Sequence, residues 1–142
     1  METLILIRET RANCLLAVPT RDWQQFSRSD CFHELNRQIR DLGRDAPVID
    51  FLVVDNSGRT EPTKQKKIGS SSLTVVFEPR VGIPFARNRV LDWAKNNSYW
   101  SIAFIDDDVE PSENWLAELT SALFAEDFDA IQGSWSFSYP RS

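Results

Sequence analysis

Short apolar runs alternate with amphipathic segments along this chain, and that alternation limits the folds open to it. Ala12–Val18, Val48–Val54, Leu73–Phe77, Trp100–Ile105 and Ala130–Phe137 are brief and rich in branched or aromatic residues, as strands buried on both faces are. Between the first two, Phe32, Leu35, Ile39 and Leu42 recur at helical spacing and predict a helix over Ser29–Leu42, which Gly43 is placed to end. Pro84 suits the first turn of a second helix reaching about Asn97, with Ala86, Val90, Trp93 and Ala94 on one face and Leu91 beside them. A third helix is predicted over Ser112–Phe124, with Trp115, Leu116, Leu119, Ala122 and Leu123 as its apolar stripe. Strands alternating with helices predict an α/β fold, a mostly parallel sheet of about five strands with flanking helices. The polar stretch Ser57–Ser72, which contains Lys64, Lys66 and Lys67, reads as a mobile surface loop. Residues 1–11 read as an N-terminal extension and 12–142 as a single domain.

Composition narrows the function classes. At 142 residues the chain suits one domain, able to bury roughly 68–70 % of the surface its unfolded form exposes and so to fold without a disulfide or metal staple. Its 21 acidic and 16 basic side chains leave a net charge of −5, which disfavours general nucleic-acid binding. Clean apolar runs such as Leu15–Val18 and Phe51–Val54 have four residues, against the roughly twenty of a membrane-spanning helix. Glu2 before the Leu4–Ile7 run and Arg8 and Glu9 after it are the wrong flanks for a secretory signal. The expected location is the cytoplasm, with peripheral membrane attachment left open. Cys14 and Cys31 have no metal spacing and are too few for a disulfide framework, so both are expected to be reduced.

In an open parallel sheet, ligands bind outside the carboxyl ends of the strands, so the residues that close each apolar run are the candidates. They are Pro19-Thr20-Arg21-Asp22, Asp55-Asn56-Ser57-Gly58, Glu78-Pro79-Arg80 and Asp106-Asp107-Asp108. Three adjacent carboxylates repel one another unless water or a cation intervenes. Hard oxygen ligands suit Mg²⁺ or Mn²⁺, with the remaining positions supplied by substrate phosphates and water. In an extended turn, residues i and i+2 share a side, so Asp106 and Asp108 can address one ligand while Asp107 faces elsewhere. The plain alternative is a solvated acidic loop ahead of a helix.

Arg80, Arg87 and Arg89 make the basic side of this rim, and Arg87 is the first candidate for phosphate or carbonyl oxygens. Its alternative is a surface arginine paired with the acidic triplet. Gly82 is read as the permissive residue of a tight turn. Asp55 closes a buried strand and can accept from a base N–H or a ribose hydroxyl, but Asp-Asn-Ser-Gly is equally good turn chemistry. His33 has no metal-spaced partner and is read as structural.

Ile102–Val109 resembles the strand and acidic opening of haloacid-dehalogenase-like phosphatases, but those carry the motif early, and only 34 residues follow Asp108 (142 − 108). Asp55 is placed like the phosphorylated aspartate of a receiver domain, yet the acidic pair after the first strand is missing. Dinucleotide and P-loop glycine motifs are absent.

Leu15-Leu-Ala-Val-Pro-Thr20, Phe51-Leu-Val-Val-Asp-Asn-Ser57, Gly82-Ile-Pro-Phe-Ala-Arg-Asn88 and Phe104-Ile-Asp-Asp-Asp-Val-Glu-Pro111 before Trp115-Leu116 together resemble the family-two glycosyltransferases, and they stand in family order across about 12–135. The resemblance implies a GT-A fold, a nucleoside-diphosphate-sugar donor and transfer to an acceptor hydroxyl, normally with inversion. It places Pro19, Thr20 and Asp55 at the nucleoside, Arg87 near base or diphosphate, Asp106 at the ribose and Asp108 on a divalent metal, Mg²⁺ or Mn²⁺. In that family the catalytic base and most acceptor-binding structure lie downstream of the strand beginning near Ala130. The expectation is therefore a donor-binding portion, truncated or completed by a partner, with no base nominated and the acceptor unknown. Trp135, Phe137 and Tyr139 alternate along the last strand, whose uncovered edge predicts self-association or a partner chain. A catalytically silent nucleotide-binding module and a phosphotransfer protein are the competing classes.

Overall fold

The computed structural model describes residues 13–42 and 46–125. Along the chain the elements are β1 (Cys14–Thr20), α1 (Trp23–Phe26), α2 (Asp30–Asp41), β2 (Ile49–Asp55), β3 (Lys64–Ile68), β4 (Ser71–Phe77), α3 (Ile83–Asn96), β5 (Ser101–Phe104) and α4 (Trp115–Ala125). The described strands form one five-stranded sheet in the order β3-β4-β2-β1-β5. Pairings β1–β2, β1–β5 and β2–β4 are parallel, and β3–β4 is antiparallel. The sheet is thus mostly parallel, with helices packed on it.

The period-two alternation of the strands divides the core into two layers. Leu16, Val18, Phe51, Val53, Val75 and Ala103 pack with Phe26 of α1, Leu35 and Ile39 of α2 and Leu116 of α4 on one face. On the other face Leu15, Ala17, Leu52, Val54 and Val76 meet Ala86, Val90 and Ala94 of α3. Both faces of the central strands are covered, which is why their sequences are apolar almost throughout. Ser29 caps α2, its hydroxyl accepting from the Phe32 N–H at 3.1 Å. Pro84 lies in the first turn of α3, where its missing N–H costs nothing. Gly82, at φ 142°, precedes it, so the tight-turn reading of that residue holds.

The Ser57–Ser72 segment is the main correction to the sequence reading. It contains strand β3, whose residues Lys64 to Ile68 pair antiparallel with Val75 to Ser71, turning at Gly69 and Ser70. As an edge strand with lysines at its exposed positions, β3 lacks the apolar alternation that would have marked it. Only Ile68 is buried, while the Lys64 ammonium lies 5.6 Å from the centre of the Phe77 ring. Smaller corrections follow the same logic. Leu91 is largely exposed on α3 and Ala122 is exposed on α4. α1 is too short to show a periodicity. As expected, Pro19 and Thr20 close β1 and Asp55 closes β2. Both cysteines are buried free thiols. Gly43, residues 1–11 and the Ala130–Phe137 strand lie outside the described residues, among which no helix is long and apolar enough to cross a membrane.

Candidate functional site

The helices after β1 pack on one face of the sheet and α3, after β4, packs on the other. The connections therefore diverge at the neighbouring strands β1 and β5, and it is at the carboxyl ends beside such a divergence that ligands bind in sheets of this kind. Pairing between β1 and β5 stops at Ala17 and Phe104, with Ile105 N–H donating to the Ala17 carbonyl at 3.2 Å. β1 continues beside β2 alone as far as Thr20, which stands in register with Asp55. Pro19, without an N–H, is tolerated in this last stretch of the strand.

Across these strand ends the Thr20 hydroxyl donates to Asp107 Oδ2 at 2.8 Å. Asp107 is thereby turned toward β1 and half-buried, while Asp106 and Asp108 are exposed. Among the described residues neither of those two carboxylates carries a hydrogen bond or ion pair. Of the three carboxylates, the middle one is the one engaged by the protein. Cys31 of α2 lies beneath, its sulfur 4.0 Å from the Asp106 carbonyl oxygen. Burial, then the charges of Asp107 and Asp108, push its thiol up to about 11.

Asp55 is fully buried. Its Oδ2 accepts from the Trp23 N–H at 2.8 Å and its Oδ1 from the Ser57 N–H at 3.0 Å. Burial raises its pKa, but the Ser57 hydroxyl, these two amides and the Arg59 charge outweigh that effect and hold the carboxyl below its ordinary range. Arg59 Nη2 lies 3.6 Å from Asp55 Oδ2 and 3.5 Å from Asp22 Oδ1. Asp22 also caps α1, accepting from the Gln24 N–H at 3.0 Å. The turn chemistry of Asp55 is therefore fully realised in the free chain.

Next to it, Asn56 ties two loops together. Its Nδ2 donates to the carbonyls of Glu78 at 2.9 Å and Arg80 at 2.8 Å, and its Oδ1 accepts from the Gly82 N–H at 2.8 Å. This fixes the β4–α3 loop, which leads to Arg87. Glu78 is buried and bound by Arg80 at 2.7 Å, and that contact holds its carboxyl below the usual range. Arg87 is exposed near the start of α3. It makes no hydrogen bond or ion pair with Thr20, Asp55 or the acidic triplet, so the surface pairing with the triplet is not seen.

Asp22 and Asn56 were visible in the sequence only as residues closing their strands; what the sequence did not show is that Asp22 pairs with Arg59, that Asn56 fastens the β4–α3 loop, and that Arg59 stands over Asp55. Asp22 carried a signal, an acid just before a helix. Arg59 carried none, because its role depends on two loops far apart in the chain.

As a class, this is a Rossmann-like α/β protein with polar side chains gathered at the strand ends where its connections diverge. The family model for glycosyl transferase family 2 matches residues 29–141, and the chain belongs to that family. Its mostly parallel sheet with helices on both faces is consistent with the GT-A fold of that family. No curated protein and no solved structure gives a significant match to the chain.

Proposed function

We propose that the chain binds a nucleoside-diphosphate sugar and supplies the donor side of sugar transfer to an acceptor hydroxyl, with inversion at the anomeric carbon. The observation that carries this reading is the Thr20–Asp107 hydrogen bond, because it ties the triplet to the end of β1 through its middle carboxylate and leaves the two flanking ones exposed. In this reading Pro19, Thr20 and the Asp55 corner line the nucleoside, Arg87 faces base or diphosphate, Asp106 the ribose and Asp108 the metal.

The donor set fits a divalent cation. Among the described residues no three acidic, His or Cys side chains converge as a closed cage. Mg²⁺ and Mn²⁺ do not require one, since one or two carboxylates suffice when diphosphate oxygens and water complete the shell. Bound there, the ion supplies Lewis-acid stabilisation of the departing diphosphate. Asp108, with Asp106 beside it, would hold that charge at the strand ends, and Arg87 would offer planar donors to the diphosphate oxygens. In the transfer the acceptor oxygen forms the new bond to the anomeric carbon as the bond to the diphosphate breaks. The electron pair leaves on the diphosphate, and the acceptor proton passes to a general base.

Calorimetric titration of UDP and GDP in MnCl₂ tests the proposal. At least one is expected to bind, to require the metal, and to bind Asp108→Ala at least about tenfold more weakly, the cost of one lost charge-assisted contact. Metal-independent binding that Asp108→Ala leaves intact would refute the metal assignment. Absence of any nucleotide binding would refute the function. Acceptor-dependent sugar release separates a transferase from a silent nucleotide-binding module.

A further inference from the structure

We propose that the group meeting the donor's nucleoside at the Asp55 corner is the guanidinium of Arg59, and that Asp55 acts behind it as a positioning residue. This rests on the nucleotide-binding reading above and changes which atom makes the contact.

The exposures of the two residues differ sharply. Asp55 is 0 % exposed, whereas the Arg59 side chain in front of it is 47 % exposed. Both Asp55 oxygens already accept backbone N–H groups, and Arg59 covers the outward side of Oδ2. A ligand at these strand ends therefore reaches arginine first. The guanidinium is also held in one orientation. Its Nε donates to Ser57 Oγ at 3.1 Å, and Nη2 sits between Asp22 Oδ1 and Asp55 Oδ2. With that edge of the plane committed, Nη1 and its two N–H donors have no partner among the described residues. In the free chain water satisfies these exposed donors, and a bound nucleoside would replace it with an acceptor oxygen, either a base carbonyl or a ribose hydroxyl. The planar fork loses little freedom on binding, because two carboxylates and a hydroxyl have already ordered it.

The same contacts link the β1–α1 loop, through Asp22, to the β2–β3 loop, through Ser57 and Arg59. Asp55 orders both loops, with the Trp23 N–H on one side and the Ser57 N–H on the other. Its buried charge is the fixed point to which the exposed arginine is tethered.

A double-mutant cycle on the full chain, read as nucleotide affinity by calorimetry in MnCl₂, tests this. UDP and GDP are titrated first and the tighter ligand is taken forward. Arg59→Ala should weaken binding about tenfold, the loss of one hydrogen bond from a charged donor. Arg59→Lys keeps the charge beside Asp22 and Asp55 but lacks the fork, and should recover less than half of that loss. Asp55→Asn should weaken binding in the wild-type background and have no further effect on Arg59→Ala, because its influence passes through the arginine. The 2′-deoxy and 3′-deoxy forms of the chosen nucleotide identify the acceptor: loss of the Arg59→Ala effect with either assigns it to that ribose hydroxyl, and retention with both assigns it to the base. Thermal melts check that each variant folds, and the exposed Arg59 variants decide the matter alone if Asp55→Asn does not. Wild-type affinity in Arg59→Ala, or equal Asp55→Asn losses in both backgrounds, would overturn the inference while leaving the nucleotide-binding reading intact. If no nucleotide binds the wild type, both are overturned.

Discussion

Replacing Asn56 by alanine should loosen the β4–α3 loop from the sheet, and the structure sets the size of the effect. Three hydrogen bonds are lost, to the Glu78 carbonyl, the Arg80 carbonyl and the Gly82 N–H. Arg80 is exposed and Gly82 half-exposed, so water can replace their bonds, and each contributes about 0.5–1 kcal/mol. The Glu78 carbonyl belongs to a buried residue, and leaving it unpaired costs about 1–3 kcal/mol. The total is about 3 kcal/mol, equivalent to a fall of about 10 °C in Tm for a chain of this size. Urea denaturation should show a lower midpoint with an unchanged m-value. Asn56→Asp sharpens the test. It can keep the Gly82 bond, but it sets a carboxylate oxygen against two carbonyls, beside the acids Asp55 and Glu78. Its pKa in the folded chain should therefore be raised, so its stability deficit should be largest at neutral pH and shrink as the pH falls below that value. A loss below about 0.5 kcal/mol for Asn56→Ala, within the range of ordinary surface changes, would refute this account of the loop.

Gly82→Ala should cost about 1–3 kcal/mol in the same denaturation assay, because φ is 142° and the new methyl would stand 3.3 Å from the Phe85 ring; a neutral substitution would mean that the turn relaxes freely. Asp55 and Glu78 both have folded-state pKa values below their ordinary ones. Their stabilisation is present above the unfolded values of about 3.9 and 4.3 and is lost as pH falls through the lower folded values. The stability gap between wild type and Asp55→Asn should accordingly be widest at pH 7 and narrow below about pH 4, and a gap that does not change with pH would contradict the assignment.

The fold was legible where burial imposes a period. Leu15–Val18 and Phe51–Val54 could only be covered strands, and Phe32, Leu35 and Ile39 could only be one face of a helix, because the sheet and the helix repeat their contacts at fixed intervals. Strand β3 was not legible. Its lysines face water at an edge, so only its pairing with Leu73 and Val75 makes it a strand. The acidic triplet and the Asp55 corner were also visible in the sequence, since they close apolar runs that must end at one rim.

What the sequence by itself determined is the alternating order of elements, the covered central strands, and hence the rim where polar residues collect. Only the tertiary structure decided which of those polar groups stay open to solvent and which are consumed by the protein. Asp107 turns to Thr20, Asp55 lies sealed beneath Arg59, and Asn56 fastens a loop it does not adjoin in sequence. The physical reason is range: hydrophobic periodicity is a local property of the chain, whereas a hydrogen bond or ion pair between residues 87 or 37 positions apart exists only after the sheet has brought its strand ends together.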